Sequence, residues 1–103
     1  MQGSHQETRM SQQPPTLVTS RDAVAKIEHW ITLLDDEAIV RVTRDSDVVE
    51  GVVAVRPTIE AFRNDAGEEG HNALLRLDAV EPRQTPQYVW LSDVRDIERL
   101  GTD

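Results

Sequence analysis

No cysteine occurs among the 103 residues. Disulfides, thiolate metal sites, cysteine nucleophiles and thiol redox chemistry are therefore excluded together. Aromatic residues are almost as scarce, being limited to Trp30, Phe62, Tyr88 and Trp90. The only histidines, His5, His29 and His71, share no metal-ligand spacing, so neither a metal nor a cofactor is expected. No apolar run approaches the ~20 residues that span a bilayer, and no signal-peptide core is present. The expected compartment is the cytoplasm, with no membrane partner. Lysine is represented by Lys26 alone beside ten arginines. Codon bias in a GC-rich bacterial genome accounts for this most simply, although arginine also offers a planar fork for phosphate or carboxylate.

What is present is acid. Eleven basic side chains against nineteen acidic ones leave a net charge of −8. The deficit is spread out: residues 1–37 hold three basic and six acidic groups, and residues 38–103 hold eight and thirteen. Such a surface repels phosphate backbones and anionic membranes, so strong non-specific nucleic-acid binding is disfavoured. The length suits one domain with a small core.

Residues 1–16 are polar, end in Gln12-Gln13-Pro14-Pro15, and bury too little to offset ordering entropy. They read as a disordered tail, and Met1-Gln2-Gly3-Ser4-His5 resembles vector-derived sequence, with Met10 an alternative native start. The domain is expected over 17–103. Thr19 precedes Asp22 at capping-box spacing. Val24, Ile27, Trp30, Ile31 and Leu34 then follow at three- and four-residue steps, which predicts an amphipathic helix from about Ser20 to Leu34. Asp35-Asp36 is unfavourable at the negative helix end and marks the stop.

The remainder predicts strands. Ala38, Val40 and Val42 alternate with Ile39, Arg41 and Thr43, and Arg44-Asp45-Ser46-Asp47 has turn chemistry. Val48–Val55 is rich in β-branched residues and interrupted by Gly51, a mark of bending or close backbone approach. Thr58–Arg63 follows as extended chain, 64–70 as a loop and Asn72–Val80 as a strand. Gln87–Leu91 and Val94–Arg99 are the closing strands, with Ser92-Asp93 at their corner.

This order of elements resembles the Sm-like barrel of Sm, LSm and Hfq proteins. Ile39-Val40-Arg41-Val42 with Val49-Glu50-Gly51-Val52-Val53 resembles the first Sm motif, and Tyr88–Leu100 resembles the second. More closely, the chain is similar to a small group of uncharacterised proteobacterial proteins with a variant Sm-like fold. The shared elements are Val49–Val55, Phe62-Arg63-Asn64 and Leu75-Arg76-Leu77-Asp78. The resemblance implies a mainly β domain with an N-terminal α-helix, built as a small five-stranded Sm-like (SH3-like) barrel. It also implies assembly by pairing of the fourth strand with a neighbour's fifth. The family's RNA site is not carried over. Its Asp and Asn, six and ten residues beyond the glycine, are replaced by Pro57 and Ala61, and the corner is acidic where a basic or glycine-containing pair is usual.

Catalysis finds no support. Ser46 and Ser92 each neighbour an aspartate, but no histidine is near in sequence and no nucleophile elbow is present. Asn64-Asp65-Ala66-Gly67-Glu68-Glu69 lacks the alternating acids of a calcium loop and reads as a solvated hairpin loop. A non-enzymatic binding or scaffold module is expected, with a protein partner or self-association through barrel edges at Tyr88, Val89, Trp90, Leu91, Val94 and Ile97. The charged Arg95, Asp96, Glu98 and Arg99 would block edge pairing or fix its register. The alternative is weak RNA binding by an arginine patch of Arg56 and Arg63 with Asn64 and Phe62. Arg41 and Arg76 could extend that face; against this alternative, Arg41, Arg56, Arg63 and Arg76 would be spent in exposed cross-strand ion pairs with Glu50, Glu60 and Asp78. Tyr88, Trp90 and Trp30 are expected to pack in the core under the helix. The sequence alone does not specify a function.

Overall fold

A computed structural model describes residues 14, 16–81 and 84–102. The predicted tail therefore falls mostly outside the described residues. Helix α1 spans Arg21–Thr32, and its N-cap is Ser20 rather than Thr19. The Ser20 hydroxyl accepts from the Ala23 amide at 3.1 Å, satisfying one free donor of the first turn. Asp22 still lies in that turn, on the favourable side of the helix dipole. Ile27, Trp30 and Leu34 are buried from the predicted apolar stripe. The helix ends at Leu33, and the acids that follow turn the chain into the sheet, with Glu37 at φ 66°.

Seven strands follow: β1 Ala38–Arg44, β2 Val48–Val53, β3 Glu60–Arg63, β4 Glu69–Asn72, β5 Leu74–Asp78, β6 Gln87–Trp90 and β7 Val94–Thr102. A 3-10 turn, Leu91–Asp93, joins β6 to β7. Five strands form one antiparallel sheet in the order β6-β5-β2-β1-β7, and β3 pairs with β4 as a separate hairpin. The expected closed barrel is thus corrected to an open five-stranded sheet. Its end strands are joined by the turn, without a ladder between them. β2 meets β5 at only two positions, Val52↔Asp78 and Val53↔Leu77, because the chain leaves β2 at Val53 to build the hairpin. The strand predicted over Asn72–Val80 is likewise divided, since Ala73 separates β4 from β5.

Alternation decides what is buried. Val40, Val42, Val53, Leu75, Leu77 and Val89 face inward and are sealed from solvent. Gly51 permits the crossing of β2 and β5: a Cβ there would stand 2.7 Å from the Asp78 carbonyl oxygen and 2.9 Å from the Leu77 Cβ. Gly70 does the same for the hairpin, where a Cβ would meet the Cβ of Leu17 at 2.7 Å. The Val18 and His71 backbones exchange hydrogen bonds of 2.9 and 2.8 Å, tying the entry segment to β4.

Candidate functional site

The corner between β6 and β7 is held by a buried polar side chain whose hydrogen-bonding groups are all engaged. Asn72, at the end of β4, is completely buried. Its amide nitrogen donates to the Thr16 carbonyl at 2.9 Å and to Ser92 Oγ at 2.8 Å. Its oxygen accepts from the Ala73 amide at 2.8 Å and the Ser92 amide at 3.2 Å. One side chain thereby ties together the entry segment, the β4–β5 break and the 3-10 turn. Burial without such partners would cost about 1–3 kcal/mol per orphaned group. Thr16, assigned from sequence to the tail, is held in this network. Sequence reasoning missed Asn72, because a strand-end asparagine differs from a loop one only in its partners.

The strands that leave this corner are open on their outer sides. β6 and β7 are the two ends of the sheet, and among the described residues no backbone hydrogen bond reaches their free edges. Of the six expected edge residues, Val89, Leu91, Val94 and Ile97 bury their side chains, so at an edge Val89, Val94 and Ile97 offer only backbone. Leu91 is corrected from edge strand to turn, its amide donating to the Ala73 carbonyl at 2.9 Å. Tyr88, 55% exposed, and Trp90 face outward, against the expectation of packing under the helix. The register explains this: Val89 stands opposite Leu75 on the core side, which places Tyr88 beside Arg76 and Trp90 beside Leu74 on the other. Of that aromatic group, Trp30 alone packs in the core.

The four residues of the arginine patch occupy separate settings. Arg56 is ion-paired with Asp35, and its amide donates to Asp36 Oδ1 at 2.6 Å. Arg63 pairs with Glu69 across the β3–β4 hairpin at 3.0 Å. Phe62 sets its ring edge-to-face against Trp90, with centroids 5.8 Å apart, rather than with Arg63. Asn64 is consumed by its own loop, accepting from the amides of Ala66 and Glu68 and donating to Glu68 Oε1 at 2.8 Å.

Elsewhere on the outer face, of the three acids expected in cross-strand ion pairs, Glu50 has a cross-strand arginine in Arg41, whereas Asp78 is paired with Arg76 of its own strand. Arg41 bridges Glu50 at 2.7 Å and Glu98 at 2.9 Å, joining β2, β1 and β7 in one row. The hydrogen bond to Glu50, with the charges of both acids, raises Arg41 above its ordinary pKa. Arg76 is raised by its hydrogen bond to Asp78 at 2.8 Å. Glu60 has no basic partner among the described residues. Seven arginines, Arg41, Arg44, Arg56, Arg63, Arg76, Arg95 and Arg99, hold carboxylates. Their positive charge is largely spent inside the molecule.

A helix-led open sheet of this order, with a 3-10 turn joining its end strands, places the chain in the Sm-like class. The crystal structure of XC5848 from Xanthomonas campestris, described as adopting a novel variant of the Sm-like motif, superposes with a TM-score of 0.76. That protein is 36% identical, and the match covers 82% of this chain and 92% of that one. Residues 11–100 match the family described as Domain of unknown function (DUF3247), and the chain belongs to that family. No curated protein matches the sequence.

Proposed function

We propose that the domain is a small non-enzymatic module that self-associates through the two open edges of its sheet. The observation that carries this reading is the pair of end strands without a backbone partner among the described residues. Unpaired strand edges are templates for another chain, and monomeric proteins blunt them with lysines, charges or short lengths. Here β6 carries no charged side chain, and β7 carries two arginines and two acids, so the net charge of −8 does not accumulate at either edge.

Length limits how much of each edge is free to pair, because short strands, bulges and prolines blunt an edge. Register shifts against β1 leave Arg95 and Leu100 as extra residues, which confines the regular part of β7 to Asp96–Arg99. β6 is also four residues long, and Pro86 precedes it. A non-enzymatic role is supported by Ser92, whose hydroxyl is engaged by Asn72 at 2.8 Å. RNA binding draws less support, because Arg56 and Arg63 are already neutralised and Asn64 is tied within its loop.

Light scattering and sedimentation over a concentration series test the proposal, with and without a mixed RNA pool. Concentration-dependent assembly without RNA is the expected result. A monomer at every concentration would overturn it. RNA binding in low-salt titrations that is abolished by Arg63→Glu would transfer the function to the arginine patch.

A further inference from the structure

Helix α1 stands over the 3-10 turn of the corner, and between them lies a cavity of about 210 Å³. We propose that this cavity binds a small α-amino acid with an apolar side chain. The apolar part of its lining is Ile27 and Trp30 from the helix, with Leu91 and Val94 from the corner, all of them buried. Size narrows the ligand. A cavity of about 150 Å³ holds a benzene-sized molecule, whereas drug-sized ligands fill roughly 300–1,000 Å³. The space therefore suits one apolar side chain together with a compact polar head.

The polar part of the lining carries donors that are not engaged. Trp30 is only 8% exposed, and its indole N–H, which has no acceptor among the described residues, is not sealed in the core but reaches solvent. Ser92 Oγ accepts from Asn72, which leaves its own hydrogen without an acceptor among those residues. Lys26, the only lysine of the chain, has no carboxylate partner among them. An indole, a hydroxyl and an ammonium thus border one small space, and a carboxylate is the group that answers all three.

Asp93 supplies the opposite sign. It lines the same cavity and has no cation paired with it among the described residues. Asp45 and Arg95, also on the lining, hold each other and add no net charge. A simple carboxylate would be repelled by Asp93, whereas the ammonium of an amino acid pairs with it. Unmatched charges of both signs on one cavity select a ligand that carries both.

L-leucine, isocaproate and isoamylamine test this by calorimetry and NMR, because they share one side chain and differ only in their charged groups. Leucine is expected to shift the Trp30 indole and Ser92 amide resonances saturably, with the acid and the amine weaker by about tenfold or more. Lys26 and Asp93 are exposed, so their variants should keep the fold, which thermal denaturation checks. Lys26→Met weakens leucine by a similar factor and leaves the amine unchanged. Asp93→Asn weakens leucine and strengthens isocaproate. No saturable shift at millimolar leucine, or shifts that both variants leave unchanged, would overturn the site. Isocaproate binding the parent as tightly as leucine would overturn the amino-acid assignment.

Discussion

The corner at Asn72 and the edges it separates are built on opposite terms. At the corner every polar atom of a buried asparagine has a partner, and three chain segments depend on it. A few residues away, β6 and β7 present backbone groups with none among the described residues. The rigid point fixes where the two open strands emerge, while the strands keep their bonding capacity for something else. In this chain, full satisfaction marks architecture and its lack marks the place where function is to be sought.

The contrast is broken most severely from the core side. Leu75→Ala removes a sealed side chain opposite Val89, and calorimetry should show a loss of about 2–5 kcal/mol that detaches β6 with the core. Asn72→Ala orphans the Ser92 amide and the Thr16 carbonyl, and denaturant unfolding should register a loss of about 2–3 kcal/mol. Hydrogen exchange at Ser92 should quicken in that variant, whereas Val53 in the sheet keeps its protection. Asn72→Asp sharpens the test, because it keeps the acceptor and sets a carboxylate against the Thr16 carbonyl. Gly51→Ala pushes a methyl group towards the Asp78 carbonyl and should cost about 1–3 kcal/mol by forcing β2 and β5 apart. On the open side, Arg41→Gln should leave the thermal midpoint close to that of the parent, since both of its ion pairs are exposed. An effect as large as that of Asn72→Ala would show that the outer face is structural as well.

Much of this was legible beforehand, for identifiable reasons. The helix stripe and the alternation of Ala38, Val40 and Val42 are local periodicities: Ile27, Trp30, Leu34, Ala38, Val40 and Val42 are buried, and Val24 and Ile31 at the margin of the stripe are half-buried. Gly51 was readable because few causes place a glycine inside a strand of valines. The cap was misplaced by one residue, from Ser20 to Thr19, because both residues can cap and only the backbone decides between them. Closure failed as an expectation because it depends on how β2 and β5 meet, and local pattern does not encode that meeting.

The outward turn of Tyr88 and Trp90 has the same origin. In a strand of period two, a shift of one residue exchanges the faces. Gln87-Tyr88-Val89-Trp90 holds apolar residues in both phases, so pairing with Leu74–Leu77 had to settle the matter. Composition likewise could not place the arginines, whose partners are set by strand order; Arg41 and Glu98 are 57 residues apart in sequence.

By itself, the sequence determined a cysteine-free, acidic, helix-then-strands domain with its apolar faces in known positions, because periodicity and charge are local properties. The tertiary structure alone decided that the sheet stays open, that Asn72 locks the corner, and that the arginines of the expected patch are occupied. Those outcomes rest on contacts between distant segments, and such contacts exist only once the strands have chosen their neighbours.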